Sequence, residues 1–158
     1  MFLISKRIFL LAAVYGTFSQ AWLLPNLPAS ASETGQSKDG RVALRGYDPV
    51  SYFTDRHPVK GLDSLRSTFD GTTYLFASVE HRDMFAADPE HYAPQYAGYC
   101  AGGIAAGSKI EGDPEAYLIS NGRLFVFWSK DEIPVFQAKS AQVTSEADKR
   151  WQSMFGGR

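Results

Sequence analysis

The amino-acid sequence predicts a small single domain of the α+β class, with two β-hairpins forming antiparallel sheet, several short helices and a C-terminal helix. Two turn dipeptides, Asp70-Gly71 and Asn121-Gly122, lie between runs of strand-forming residues and favour tight hairpins. An Asp-Pro-x-x-Tyr pattern occurs three times and favours short helical turns, because aspartate caps a helix and proline suits its first position. The chain has 158 residues, 44% of them hydrophobic, which is enough for one core.

Residues 1–31 have the layout of a secretory signal peptide. Two basic residues precede the apolar run 8–15, and Ala29-Ser30-Ala31 is a small-residue cleavage site. The run is much shorter than the roughly 20 apolar residues of a membrane-spanning helix, which argues against a retained anchor. Residues 5–10 also resemble a twin-arginine export signal in which Lys6 replaces the first arginine. We therefore expect a periplasmic or secreted protein with no membrane attachment after cleavage.

Three further segments are predicted beyond the signal peptide. Residues 32–40 are small and polar and are interpreted as a flexible lead-in. Residues 41–128 hold the folded domain, and residues 129–158 form a helical extension that packs on it. The net charge is −1 and the sequence contains no basic stripe, which argues against a nucleic-acid partner.

Short helical turns are the first elements predicted in the folded segment. The three Asp-Pro-x-x-Tyr stretches are 48–52, 88–92 and 113–117. In each one the aspartate can accept hydrogen bonds from free backbone N–H groups, and the tyrosine one turn later can fold back onto the core. These copies are too short and too unevenly spaced to be structural repeats.

A hairpin and a helix are predicted between the first two of these turns. The strands lie on either side of Asp70-Gly71, and the helix runs from about Val79 to Ala87 with Ser78 as its cap. His81 and Phe85 share one face of this helix at the i, i+4 spacing. Because Phe85 is a core residue, the pattern places His81 at or near the buried side.

The last third of the sequence predicts a second hairpin and the C-terminal helix. The hairpin joins residues 116–120 to residues 123–128 through Asn121-Gly122. The helix runs from about Ser140 to Phe155. Its apolar stripe is formed by Val143, Ala147, Trp151 and Met154.

Three stretches of the sequence resemble the YHS domain family, in its exported stand-alone branch. They are Gly46–Phe53, Phe76–Phe85 and Asp88–Ala101, and the likeness covers roughly residues 41–128. The resemblance implies a small α+β fold and, in the cysteine-bearing branch of the family, metal binding. Relatives of that branch occur beside copper-transporting ATPases and in multicomponent oxygenases.

This chain lacks the thiols that the resemblance associates with the cysteine-bearing branch. Those thiols follow an Asp-Pro-Val stretch and occupy both cysteine positions of a Phe-Cys-Ser-x-x-Cys run. Ser51, Ala77 and His81 stand at these positions here. A thiolate site of that kind is therefore not carried over, and the exported branch's own cysteine, here Cys100, needs a separate interpretation.

Cys100 is the only cysteine of the chain, so an internal disulfide is impossible. Three roles are open to it: a small buried hydrophobic residue, a thiolate metal ligand beside His81, or a redox or nucleophilic thiol. His81 is the preferred histidine because its helix face carries Phe85, whereas His57 and His91 are expected to face solvent. The structural alternative for His81 is a core imidazole bonded to a backbone carbonyl.

The predicted function is that of an exported binding module for a transition metal such as Cu or Zn, for another small ligand, or for a protein. The sequence has no Ser-His-Asp elbow, P-loop or dinucleotide fingerprint, so a binding module is favoured over an enzyme. The candidate ligand-binding residues are His81, Tyr99 and Cys100, with His81 and Cys100 as metal ligands. Two protein ligands are too few for a closed tetrahedral site, so water, another side chain or an exogenous ligand would complete it.

The alternative is a thiol-based redox protein or enzyme that uses Cys100 with His81. A separate hypothesis is that Cys100 is a reduced, poorly accessible thiol near His81 and that the two residues line the same pocket or core edge. A thiol pKa shifted towards or below neutrality would favour the enzyme, because the thiolate is the reactive form. An ordinary or raised pKa together with stabilisation by a metal would favour the binding module, whereas a purely structural or partner-docking role would show neither signature.

Overall fold

The structure is a computed structural model, and it describes residues 40–155 of the chain. The predicted signal peptide, residues 1–31, and the lead-in as far as residue 39 lie outside the described residues, so both remain predictions. Within the described range, no helix has the combination of length and apolar composition needed to cross a bilayer.

The described residues form two antiparallel two-stranded sheets and six α-helices, which confirms the α+β class. The strands are β1 (Leu62–Phe69), β2 (Thr72–Phe76), β3 (Asp113–Ser120) and β4 (Arg123–Phe127). The helices are α1 (Ser51–Thr54), α2 (Val79–Ala87), α3 (Pro89–Tyr92), α4 (Ala101–Ala105), α5 (Glu132–Ala138) and α6 (Ser140–Phe155).

Both predicted hairpins form around their turn dipeptides. Strand β1 pairs with β2, and β3 pairs with β4. Asp70 and Gly71 have φ values of 50° and 73°, and Asn121 and Gly122 have 52° and 73°. These left-handed conformations suit Asp-Gly and Asn-Gly, and their twist matches that of the flanking strands.

The two longer helices have the bounds that the sequence predicts. The Ser78 hydroxyl accepts a bond of 3.1 Å from the backbone N–H of His81 and so caps α2. Phe85 on the inner face of α2 is buried. On α6, Ala147 is buried and Trp151 packs against the same core, as the apolar stripe predicts.

The third Asp-Pro stretch was wrongly predicted as a helical turn. Asp113 and Pro114 begin strand β3, where Asp113 pairs with Phe127 of β4. Proline is tolerated as an early residue of a strand, and its carbonyl here accepts a bond of 3.1 Å from the Tyr52 hydroxyl. Pairing with β4 therefore overrides the local preference of Asp-Pro for a helix start.

The other two Asp-Pro stretches do start helical turns. Asp88 caps α3, since its side chain accepts a bond of 3.2 Å from the backbone N–H of His91. Asp48 accepts a bond of 2.8 Å from the backbone N–H of Val50, just before α1. Asp48 is fully buried, however, and its second carboxylate oxygen is used elsewhere in the fold.

The core consists of two clusters of buried side chains. The first lies among β2, α1 and α2, and includes Tyr52, Phe76 and Phe85. The second lies among β4, α4, α5 and α6, and includes Phe125 and Phe136. Leu124 and Val126 of β4 also belong to the first cluster, so both hairpins contribute to this part of the core.

Candidate functional site

His81 is held in place by a buried carboxylate. Its Nδ1 atom lies 2.7 Å from Oδ2 of Asp48, whose side chain is fully buried. The same oxygen accepts a bond of 2.8 Å from the backbone N–H of Ala77, and the other oxygen bonds Val50. The Ser78 cap fixes the start of α2 and so helps to hold the His81 imidazole against the Asp48 carboxylate.

The second nitrogen of His81 lies close to the protein surface. The His81 side chain is 14% exposed, and its Nε2 atom lies 3.3 Å from Oγ1 of Thr54, an exposed residue of α1. The Thr54 hydroxyl also lies 3.1 Å from the Val50 carbonyl, to which it donates its single proton. When Nδ1 carries the imidazole proton towards Asp48, the lone pair of Nε2 faces the Thr54 hydroxyl.

Cys100 lies in a separate pair with Glu132. The cysteine has no exposed surface, and its Sγ atom lies 3.1 Å from Oε2 of Glu132 at the start of α5. Its sulfur also accepts a bond of 3.3 Å from the backbone N–H of Gly103, in the first turn of α4. The thiol therefore donates to a carboxylate and accepts from the backbone, as a buried polar group must.

Burial raises the pKa of the Cys100 thiol above its ordinary value. The bond to Glu132 raises the pKa further because it stabilises the protonated S–H group, while the backbone N–H groups of Gly103 and Trp128 lower it. A thiol nucleophile needs the opposite shift. This environment favours a neutral, inert thiol.

We expect the Cys100 thiol to make the folded protein lose stability in alkaline solution. Its pKa is raised in the folded state, so the unfolded thiol ionises first and stability falls as pH rises from about 8 to about 10. Urea unfolding of wild type and Cys100→Ala across this range should show a smaller loss for the variant. Parallel pH profiles for the two proteins would contradict the raised pKa.

Tyr99, the third candidate residue, is covered by other side chains. The guanidinium of Arg41 lies 3.9 Å from the centre of its ring, and the Trp151 ring centre lies 6.3 Å away. Its backbone forms an isolated bridge with Glu111. This packing gives Tyr99 a structural role, and its ligand role stays a prediction.

The structure bonds His81 and Cys100 to different partners. The side-chain bonds of His81 go to Asp48 and Thr54, and those of Cys100 go to Glu132 and the Gly103 backbone. Among residues 40–155, no group of three or more His, Cys, Asp and Glu side chains could hold a metal ion. A metal site shared by His81 and Cys100 stays a prediction, and the hydrogen bonds of these two residues do not support it.

Sequence reasoning missed the two carboxylates of these pairs. The sequence pattern predicts a helix cap at Asp48 and indicates no role for Glu132. The carboxylate of Asp48 lies 33 residues from His81 in the chain, and Glu132 lies 32 residues from Cys100. The one available indication was the burial expected for His81, since a buried imidazole needs a polar partner.

The remaining two histidines lie where the sequence places them. His57 is exposed, and its Nδ1 atom lies 2.8 Å from the Asp55 carbonyl. His91 is exposed and packs its ring against Phe53, with 4.9 Å between ring centres. Neither has a carboxylate partner among the described contacts, so His81 is the histidine with a constrained imidazole.

Comparison with known proteins identifies one family. Residues 50–96 match the family model of the YHS domain. The match lies inside the segment 41–128 over which the sequence resembles that family, and it confirms the resemblance. It includes His81 and ends before Tyr99 and Cys100. No curated protein and no solved structure matches the chain.

Proposed function

We propose, because this chain carries a YHS domain at residues 50–96, that the protein is a non-catalytic binding module that holds a transition-metal ion such as Cu²⁺ or Zn²⁺ through His81. Metal binding is the function associated with this family. The observation that carries the proposal is the 2.7 Å contact between His81 Nδ1 and the buried Asp48 carboxylate. Export to the periplasm or the medium is part of the proposal and depends on the signal peptide predicted for residues 1–31.

The contact with Asp48 prepares His81 for a metal ion. Histidines that bind metals usually donate their other ring N–H to a carboxylate, which fixes the tautomer and makes the ligating nitrogen more basic. Asp48 is an acceptor in this position, and it is itself fixed by two backbone N–H groups. The ligating atom would be Nε2, the nitrogen beside Thr54.

Thr54 supplies an oxygen beside that nitrogen. The 3.3 Å between Nε2 and Oγ1 is close to the spacing of about 3.3–3.4 Å between two ligands of a tetrahedral ion bound at about 2.0–2.1 Å. A neutral hydroxyl is a weak ligand, and the other positions would be filled by water or by an exogenous ligand. We therefore expect an open site of modest affinity, which suits a binding or transfer role better than a permanent structural metal.

The thiol-enzyme alternative has less support. Cys100 is buried, its pKa is raised, and its hydrogen-bond partner is a carboxylate, which does not stabilise a thiolate. A copper or zinc ion bound by Cys100 would have to remove the thiol proton inside this closed environment. His81 differs because its side chain is partly exposed and because a neutral imidazole can bind a metal without first losing a proton.

The proposal is tested by calorimetric titration of Cu²⁺ and of Zn²⁺ into the mature chain that begins at Ser32. We expect one site, with at least a tenfold loss of affinity in His81→Gln. The matched control is His91→Gln, since His91 is an exposed histidine ten residues along the chain without a carboxylate partner. Binding by His81→Gln equal to that of wild type would refute the proposal.

Cys100→Ser provides a further arm of the same titration. If His81 binds the metal without the thiol, this variant titrates like wild type once it is shown to be folded. A loss of affinity in Cys100→Ser similar to that in His81→Gln would instead support the shared His81–Cys100 site predicted from the sequence.

A further inference from the structure

The two halves of the described chain follow the same order of elements. Each begins with a turn in left-handed conformation, continues with a short helix and a bulged β-hairpin, and ends with a helix that follows the hairpin. The first half comprises α1, β1, β2 and α2, and the second comprises α4, β3, β4 and α5. Helix α3 connects the halves, and α6 follows the second.

The opening turns have the same unusual backbone. Leu44-Arg45-Gly46 begins the first half and Tyr96-Ala97-Gly98 begins the second, and all six residues have φ between 50° and 83°. Side chains other than glycine rarely adopt this conformation, so two successive non-glycine residues in it are uncommon. A tyrosine follows each turn, Tyr47 in the first half and Tyr99 in the second.

The same backbone hydrogen bonds fix both turns to the following strand. In each half, the N–H after the tyrosine bonds a carbonyl near the start of the hairpin, and a glycine N–H bonds the glycine of the turn. The first-half bonds are Asp48 N to Val59 O (2.8 Å) and Gly61 N to Gly46 O (2.9 Å). The second-half bonds are Cys100 N to Ile110 O (2.8 Å) and Gly112 N to Gly98 O (3.3 Å).

The hairpins correspond residue by residue, at a constant interval of 51 residues. Their strands are 62–69 and 72–76 in the first half, and 113–120 and 123–127 in the second. The register shifts at the same place in both, between Leu62 and Arg66 and between Asp113 and Tyr117. Bulges at equivalent positions are expected of related structures, since they are specific features of a fold.

A crowded glycine also recurs at this interval. A Cβ atom on Gly61 would lie 2.6 Å from the backbone of Leu75, and a Cβ atom on Gly112 would lie 2.6 Å from the side chain of Val126. Leu75 and Val126 are themselves 51 residues apart. Both glycines are required by the same close approach of the chain to the second strand of its hairpin.

The two polar pairs occupy equivalent places in this arrangement. Asp48 and Cys100 each follow the tyrosine after the left-handed turn, and His81 and Glu132 each lie in the first turn of the helix after the hairpin. His81 and Glu132 are also 51 residues apart. The backbone N–H groups of Ala77 and Trp128, again at this interval, approach Asp48 and Cys100 respectively.

We propose that residues 43–87 and 95–138 are two copies of one structural unit, and that the Cys100–Glu132 pair is the second copy's counterpart of the Asp48–His81 pair. In both copies a buried group after the turn accepts backbone N–H groups and bonds the helix that follows the hairpin. Cys100 is thus a structural tie, with Glu132 as the group that positions it. The YHS match, residues 50–96, lies mainly in the first copy.

The copies differ in what they offer to a ligand. The first copy has an imidazole beside the Thr54 hydroxyl, whereas the residues numbered 51 and 52 higher than Thr54 are Ala105 and Ala106. The second copy presents a carboxylate already bonded to a buried thiol, with no hydroxyl at the equivalent place. We therefore infer that ligand binding belongs to the first copy and that the second copy maintains the fold.

The test is an exchange of the two pairs, read by urea unfolding of the full mature chain. Cys100→Asp should lower the midpoint strongly, because it buries a carboxylate against Glu132. Adding Glu132→His should recover most of this loss, because it recreates the Asp–His pair of the first copy. The control is Cys100→Asp with Glu132→Gln, which removes the repulsion without supplying an imidazole and should recover less.

A reciprocal exchange keeps the test decisive if Cys100→Asp does not fold. Asp48→Cys with His81→Glu should be more stable than Asp48→Cys with the native histidine. The two sites are supported as equivalent if Glu132→His restores more stability to Cys100→Asp than Glu132→Gln does, or if His81→Glu restores stability to Asp48→Cys. Double variants no more stable than their single parents would overturn the inference. Metal binding has no part in this readout, so the proposed function can fail while the equivalence stands.

Discussion

Asp48→Ala is expected to destabilise the folded protein by several kcal/mol, because each buried donor left without an acceptor costs about 1–3 kcal/mol. The carboxylate is fully buried and accepts three bonds, from the backbone N–H groups of Val50 and Ala77 and from Nδ1 of His81. Alanine would leave these donors without acceptors in a place that water does not reach. The measurement is the free energy of unfolding in urea.

Two other variants calibrate this result. Asp48→Asn keeps the shape and one acceptor oxygen, so its loss should lie between those of wild type and alanine. Asp83→Ala removes a carboxylate that is 62% exposed and paired with its neighbour Arg82, and exposed pairs contribute only about 0–1 kcal/mol. If Asp48→Ala cost no more than Asp83→Ala, the buried carboxylate would not be a main support of the fold.

Gly61→Ala is expected to cost about 3 kcal/mol, at the upper end of the usual range for overpacking. The added Cβ atom would lie 2.6 Å from the carbonyl carbon of Leu75 and 2.8 Å from its oxygen. These are backbone atoms of β2, so a change of rotamer cannot relieve the clash. Relief would require the chain to move away from β2 and would weaken the bond of 2.9 Å from Gly61 N to Gly46 O.

Gly102→Ala is the matched control for this substitution. The nearest atom to its added Cβ is Oε2 of Glu132 at 3.6 Å, an ordinary contact, and Gly102 lies in helix α4. Alanine is favoured over glycine in a helix by about 1 kcal/mol, so this variant should match or exceed wild type in stability. Gly61→Ala with the same urea midpoint as Gly102→Ala would show that β2 yields easily at this point.

The sequence predicts one member of the candidate site, His81, but not its partner. His81 was found because Phe85 and His81 share a face of α2, and that relation is contained within five successive residues. Its partner Asp48 is predicted as a helix cap, but one carboxylate oxygen bonds the backbone of Val50 ahead of α1 and the other contacts His81. Local patterns report one use of a side chain and do not reveal a second partner far along the chain.

The repeat shows the same limit. The visible repeat in the sequence is Asp-Pro-x-x-Tyr, and its third copy is a strand at Asp113. In the structural repeat, Asp48 of the first copy corresponds to Cys100 of the second, and His81 corresponds to Glu132. The residues at these equivalent positions differ in their chemistry. When the residues at the key positions of a repeat differ, the copies share their backbone geometry but few identical residues.

The sequence by itself determined the elements whose causes are local. Asp70-Gly71 and Asn121-Gly122 set the hairpin turns, Ser78 capped α2, and the apolar stripe through Ala147 defined α6. Tertiary structure decided the rest: the strand at Asp113, the short glycine-containing helix α4, and the partners of His81 and Cys100. The reason is that turn and cap energies arise between neighbours in the chain, whereas a buried polar group must find its partner wherever the packed core brings one.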